Sequence, residues 1–433
     1  MPLRTTRENL DTFRNAGIPW DALPPTFQHA IEMTRRLGLK YIWIDSLCII
    51  QDDEDDWRHE GSKMADIYSG SHITLAASSA PNSAGGLYTD QTRPSHRVRV
   101  ITIPGHHDNS ENYQVLSCRA PTFHEHEALP LNERAWFFQE RSLSRRIVHF
   151  ADNMLYWGCS KQTVNERGDF DGIARLHRLN LPDVKPMPLR LLKSSTTPEK
   201  IDDKRMSRMW HTTVTAYTRL KLTYSSDRLP ALQGIAKSMH QERKCAYYAG
   251  LWEDTLLRDA MWWRSRDPPL PQDNKSQAPS WSWASAIGPV KWPQGLWSDT
   301  YRTTAEIVSV QTTPVGEDPM GEVAGGTLVL TGHCAPALIP LDGTKGPSEM
   351  HAIRFKEAGA LWHLDSDDKT GLDLDKFTLV TMGEDTYNSW VLILTESDAG
   401  YQTFRRIGCG RLGHLMYRHE LDIMGETKTI TIV

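Results

Sequence analysis

No apolar run in this chain approaches the ~20 residues that a bilayer-crossing helix requires, which excludes a transmembrane helix. There is no basic excess either. The 49 lysines and arginines face 54 aspartates and glutamates, for a formal net charge of −5. A chain without a concentrated basic face is not expected to bind nucleic acid. The opening residues MPLRTTRENLDTFRN hold no apolar core of a signal peptide, so the expectation is a cytoplasmic chain without a membrane partner. Cysteine is sparse: Cys48, Cys118, Cys159, Cys245, Cys334 and Cys409 show no CxxC spacing and are expected to be reduced and mostly buried. The Asn-Lys-Ser sequon at Asn274 then carries no meaning. No fixed-period repeat, low-complexity tract, P-loop, GxSxG or kinase signature occurs.

What is abundant is tryptophan, with 15 in 433 residues. Trp252, Trp262, Trp263, Trp281, Trp283, Trp292 and Trp297 cluster in the second half and are read as a buried aromatic core. Residues 24–37 form a helix on pattern, with Pro25 in the first turn, one face carrying Phe27, Ala30, Ile31, Thr34 and Leu37, and Gly38 as the stop. KYIWI, about 40–45, reads as a buried strand. Asp52 to Asp56 then open a second helix, placing negative charge where the helix dipole favours it, and Trp57, Glu60, Met64 and Ile67/Tyr68 share one face. A second strand over about 72–80 completes a βαβ unit, so a parallel sheet is expected. Short β-like runs occupy 88–130, followed by a helix to about 141 and two strands, IVHFA and MLYWGC. The expected organisation is an α/β domain over 1–165, a linker or loop over 166–204, a helical Trp-rich segment over 205–290 and a β-rich region over 291–433. From about 280 the chain turns strand-like, in the runs SWSWAS, RTTAEIVSV, TLVLTGHC, FTLVTMGE, SWVLILTES, TFRRIGCG and KTITIV.

Three blocks resemble the fungal heterokaryon-incompatibility (HET) domain family. The first is YIWIDSLCIIQDDEDDWRHEGSKMADIYSGSHITLAASSAPNSAGGLY (41–88), the second LNERAWFFQERSLSRRIVHF (131–150). The third, YTRLKLTYSSDRLPALQGIAKSM, YYAGLWEDTLLRDAMWW and APSWSWAS (217–285), is similar to a region often appended to such domains. The resemblance implies non-self recognition between fungal individuals and a cell-death response. By fold-level analogy it also implies a Rossmann- or TIR-like sheet and binding of a nucleotide such as NAD. HET domains usually open with an aromatic-x-x-Leu-Ser-Tyr-x-Trp-Gly strand, whereas this sequence starts near the following segment, RTTRENL (4–10). Loss of a central strand is expected to alter any site built on it.

Candidate chemistry concentrates in the first two blocks. Asp45 and Glu60 are the candidate catalytic carboxylates. Asp45 would sit at the carboxyl end of a parallel strand, where open α/β sheets bind ligands, with Cys48, Gln51 and Asp52 just beyond. Its bland alternative is a loop-capping aspartate. Glu60 shares an apolar helix face with Trp57 and must be paired there, Arg134 or Arg141 being the natural partners. Arg134, Trp136, Gln139, Glu140 and Arg141 suit a phosphate and an aromatic base, and equally suit a packed helix. Cys48 lacks a histidine at diagnostic spacing and reads as a buried free thiol. GHHD (105–108) and HEHE (124–127) complete no metal set, so surface histidines and no metal are expected. GCGRLG (408–413) matches GxGxxG, but too few residues follow for a dinucleotide unit, and a β-turn is expected.

Three functional readings follow. The first is a HET effector acting on a nucleotide. The second is a member recruited as an enzyme of fungal secondary metabolism, holding an apolar small molecule in a Trp-lined pocket. The third is a non-catalytic module that binds another protein. No cofactor and no oligomeric state can be read from the residues.

Overall fold

Helix-start signals near the N-terminus act as their chemistry predicts. A computed structural model describes residues 3–88, 98–103, 113–118, 129–151, 155–159, 162–165, 203–265, 277–337, 351–355, 358–365, 377–397, 399–400, 402–414 and 425–433. The GHHD and HEHE histidines, Asn274 and the proposed linker up to residue 202 lie outside them. The chain divides into two units, Met1–Lys185 and Pro186–Val433. No described helix is long and apolar enough to cross a membrane.

In the first unit α1 (Leu10–Ala16) is followed by α2 (Pro25–Arg36), with Pro25 in its first turn. Gly38 ends α2 at φ +71°, a conformation that glycine reaches without strain, and its N–H donates to Arg35 O at 3.0 Å. Only Ala30 and Thr34 of the expected α2 face are fully buried, and Leu37 is exposed. A short α3 (Asp45–Cys48) precedes α4 (Glu54–Gly70). Asp53 caps α4 by accepting the N–H groups of Asp55 and Asp56, and Glu54, Asp55 and Asp56 fill the first turn.

The strands that follow are β1 (Thr74–Ala76), the hairpin β2 (Val98–Ile103) with β3 (Tyr113–Cys118), β4 (Arg146–Phe150), β5 (Leu155–Cys159) and β6 (Thr163–Asn165). Helix α5 (Ala135–Leu143) lies just before β4. The main sheet has the order β1-β4-β5-β6. Its β1–β4 pair is parallel and its other two pairs are antiparallel. The unit is therefore mixed α/β with one parallel pair.

The expected strand at 40–45 does not form, and with it the expected βαβ unit is lost. Residues 41–44 are extended, but no described residue pairs with them, and Tyr41 is 90% exposed. A strand persists only when a neighbour satisfies its N–H and C=O groups. The parallel partner of β1 is β4 instead, reached by a crossover that contains α5, and β1 is an edge strand. One core cluster joins Ala76, Leu129, Phe137, Ile147, Ala151 and Tyr156 across β1, α5, β4 and β5. A second packs Ala30 of α2 against Leu87 and Phe150.

The second unit carries α6 (Asp203–Tyr217), α7 (Gln233–Arg243) and α8 (Leu256–Asp259). Two short strand pairs accompany them: β7 (Tyr247–Tyr248) with β8 (Leu251–Trp252), and β9 (Trp263–Arg264) with β10 (Val290–Lys291). The tryptophan core forms as expected. Trp210, Trp252, Trp262, Trp281 and Trp283 are all fully buried, whereas Trp263 and Trp297 are only half-buried. The indole N–H groups of Trp210 and Trp283 both donate to Gly250 O at 2.8 Å. Gly250 sits at φ +96°, and a Cβ there would collide with the Trp283 ring. SWSWAS is a turn of 3-10 helix over Trp283–Ser285 rather than a strand.

The carboxylate of Asp259 organises this core. It accepts from Ser207 Oγ at 2.9 Å, the Trp252 N–H at 3.0 Å, Thr255 Oγ1 at 3.0 Å and His211 Nε2 at 2.7 Å. Burial alone pushes the Asp259 pKa up, but His211 and the other donors outweigh it, and the net shift is downward. Burial lowers the pKa of His211, whose ring stacks on Trp292 with 4.1 Å between centroids.

The β-rich part comprises β11 (Arg302–Thr303), β12 (Glu306–Pro314), β13 (Val323–Ala337), β14 (His351–Phe355), β15 (Ala358–Leu364), β16 (Phe377–Glu384), β17 (Asn388–Glu396), β18 (Thr403–Gly413) and β19 (Glu426–Ile432). Strand β17 pairs with β16 and β18, and β19 pairs with β13 and β18. Because β13 also pairs with β16, these five strands close on themselves. Leu328, Leu330, Leu379, Val391, Ile393 and Ile430 are among the side chains buried there. GCGRLG lies inside β18, so neither a β-turn nor a phosphate loop occurs at that position. The buried Arg406 of β18 lies over the Trp262 ring, 3.4 Å from its centroid, and pairs with Asp365 at 3.2 Å.

Asp259→Ala is expected to destabilise the second unit by about 3–5 kcal/mol, since it leaves four buried donors without an acceptor. A urea titration comparing the variant with the parent protein measures this loss. A pH dependence is expected from the first unit. Burial and then the charge of Arg141 depress the His149 pKa to about 3. Unfolded, the same histidine takes up a proton near pH 6.5. The folded state thus loses about 1.4 kcal/mol per pH unit from this residue as pH falls from about 6.5 to 3. His149→Gln should flatten that part of the stability curve in melts run across the range.

Candidate functional site

The first motif block is held in place by the N-terminal segment. Thr5 donates its N–H to Ser46 O at 2.8 Å, accepts the Gln51 N–H at 2.9 Å and donates its hydroxyl to Leu47 O at 2.7 Å. The Arg7 N–H donates to Asp52 Oδ1 at 2.8 Å, and its guanidinium pairs with Asp53 at 2.9 Å. The backbone hydrogen bonds to Asp55 and Asp56, together with Arg7, hold the Asp53 carboxyl below its usual range. Gln51 donates its side-chain amide to the carbonyls of Asp45 and Ile49, at 3.3 and 3.2 Å. Asp52 and Gln51 are therefore structural ties in this loop, which fixes the exposed Asp45 at the start of α3.

Helices α4 and α5 bring the second block to the same place. Trp57 of α4 meets Trp136 of α5 edge-on, with 5.9 Å between ring centroids. Near the end of α4, Tyr68 hydrogen-bonds Glu140 of α5 and contacts Trp43 with 5.7 Å between centroids. Burial pushes the Glu140 pKa up to about 7. The charge of Asp45 acts in the same direction, while Arg134 and the Tyr68 hydrogen bond oppose it. The Tyr68 hydroxyl is raised well above its usual value, first by burial and then by Glu140 and Asp45, so it remains a proton donor. Asp45, Tyr68, Arg134 and Glu140 thus form one electrostatically connected group. Its carboxyl is close to half-ionised at neutral pH, the condition for exchanging a proton with a substrate.

Two expectations need correction. Glu60 is not paired with Arg134 or Arg141: it binds Lys63 at 2.8 Å and lies 3.9 Å from His59. An (i, i+3) lysine on the same helix satisfies it locally, without help from α5. Cys48 is exposed rather than buried, and its thiol pKa is raised by local desolvation, then by Asp45 and Glu60, which opposes thiolate formation. More widely, Cys48, Cys159, Cys245, Cys334 and Cys409 are all free, and only Cys334 and Cys409 of these are buried.

Gln139 and Arg141 are both fully buried. Arg141 lies over Phe138 at 5.0 Å, and burial lowers its pKa to about 9. Sequence reasoning named Glu140 only as a ligand contact and passed over Tyr68 as a partner for it. The available signal was the helical spacing that places Trp57, Met64 and Tyr68 on one face of α4. Among the described residues, no group of three or more His, Cys, Asp or Glu side chains could hold a metal ion.

Residues 4–140 match the family model of the heterokaryon incompatibility protein (HET). This segment is a HET domain. The matched stretch includes all four members of the group, with Glu140 as its last residue. Searches among curated proteins and among solved structures found no match.

The opposing effects on Glu140 of the HET domain are separable. Its side-chain carboxyl carbon, followed by NMR, should titrate near pH 7 in the parent protein. Asp45→Asn should move that midpoint down and Arg134→Gln should move it up. Unchanged midpoints in both variants would break the link between these residues.

Proposed function

We propose that the HET domain binds a nucleotide such as NAD at the Asp45–Tyr68–Arg134–Glu140 group, as part of fungal non-self recognition and cell-death signalling. The observation that carries this reading is the Glu140 carboxyl, raised to about 7 beside a second carboxylate, an arginine and a tyrosine hydroxyl. Arg134 offers an exposed cation for a phosphate oxygen, and Trp43 and Trp57 offer half-buried rings near a base. Carboxylates beside a glycosidic carbon stabilise the positive charge that develops as its bond breaks. In NAD, water would add to the ribose C1′ while the C–N electrons return to the nicotinamide ring. The proton lost by water would pass to a carboxylate, for which Glu140 is the base of matched pKa.

The test is incubation of the purified protein with NAD, reading nicotinamide release by chromatography and binding by calorimetry. Release is expected, with a loss of about 10²–10⁴-fold in Glu140→Gln at unchanged circular dichroism. Neither release nor binding from a folded protein would remove the nucleotide reading and leave a protein-binding module in its place.

A further inference from the structure

The second unit holds a cavity of about 460 Å³ that nothing above employs. Its wall is made by Ser225 and Arg228, residues 277–280 and 284–287 around the SWSWAS segment, Gly325 and Gly326 of β13, Ser397, Arg405 of β18, and Val433. Cavities of ~300–1,000 Å³ are the size in which proteins hold small molecules. Its side chains include two arginines and four serines and no aspartate or glutamate, and the Val433 oxygen that belongs to the same wall is already filled by the Ser280 hydroxyl and N–H.

Several wall groups are already committed. Ser280 donates its hydroxyl and its N–H to Val433 O, and its Oγ accepts the Arg406 N–H at 2.9 Å. Ser285 Oγ donates to Ser282 O at 2.7 Å. Arg228 is buried, lies over the Trp283 ring at 5.9 Å and donates to Gly288 O at 2.6 Å. These contacts build a fixed wall with a desolvated cation in it. Arg405 differs: it is exposed, and although its charge acts on the Asp365 carboxyl, its guanidinium makes no ion pair or hydrogen bond within contact distance among the described residues. Gly325 adds an open stretch of main chain, since at φ +150° it excludes other side chains, and a Cβ there would meet nothing within 4 Å.

We propose that this cavity is a binding site for a small organic anion, whose phosphate or carboxylate oxygens lie against Arg405 under the positive potential of Arg228. The body of the ligand then rests on Ala278, Pro279, Ala286 and Ile287, which form the apolar part of the wall. A planar guanidinium accepts either oxyanion through paired N–H donors, so the two chemistries share one geometry. The site is independent of the HET domain and does not rest on the nucleotide reading.

The full chain tests this by thermal melting against inorganic phosphate, citrate and chloride at matched ionic strength, with glycerol as a neutral control. A saturable rise in the melting temperature is expected with phosphate, citrate or both, and not with chloride or glycerol. Whichever anion acts identifies the headgroup as phosphate or carboxylate. Arg405→Ala should abolish the rise without lowering the melting temperature of the unliganded protein, and Arg405→Lys should weaken it. Equal rises in parent and Arg405→Ala would overturn the proposal, as would no rise with either anion. An Arg405→Ala variant that melts earlier yet keeps its anion response would assign that arginine to holding β18 instead.

Discussion

The carboxylate of Asp259 is the constraint around which the second unit is arranged. Four donors from three parts of the chain converge on it: Ser207 and His211 of α6, the Trp252 main chain of β8, and Thr255 just before α8. The Asp259 carbonyl also accepts the Trp292 indole N–H at 2.8 Å, which places that ring flat on His211. A buried charge is tolerable only when its lone pairs are filled, so each donor is fixed in position by the cost of leaving it unmade. The packing of the tryptophans is a consequence. Large rings have few ways to fill a core, and the polar network selects one of them.

The first unit treats its buried carboxylate differently. Asp259 is surrounded by donors and its pKa falls, whereas Glu140 has a tyrosine hydroxyl and a nearby arginine set against burial and a second carboxylate, and its pKa rises. The two environments separate a structural anion from one that can exchange protons near neutral pH. That contrast, and not the presence of an acidic residue as such, singles out Glu140 within the HET domain.

Much of the local structure was legible from residue patterns. Pro25 and Gly38 bracket α2, Asp53 and the acids after it start α4, and the strand-like runs FTLVTMGE, SWVLILTES, TFRRIGCG and KTITIV fall in β16 to β19. The misreading at 40–45 has a definite cause. The composition of KYIWI favours a strand, but pairing depends on a neighbour that composition cannot supply. Glu60 failed for a similar reason, because a local lysine competes with any distant arginine and the sequence does not rank them. The HET family itself was readable from motif blocks. The link between Tyr68, Asp45 and Glu140 was not, because it joins α3, α4 and α5 through packing. Arg405 and Arg228 likewise lie far apart along the chain and line one cavity only once β18 is in place.

The closure of the barrel also governs when the second unit can exist. Its seam joins Leu328 of β13 to Ile432 of β19, and Ser280 is tied to Val433. Contacts at such separation form late, because the intervening chain must first be ordered. On a ribosome the HET domain emerges first and can assemble from what has been made. The tryptophan-rich half has no such freedom: its barrel stays open, with strand edges and apolar surface uncovered, until β19 is released. Its period of greatest exposure to misassembly therefore falls between the synthesis of β13 and that of β19.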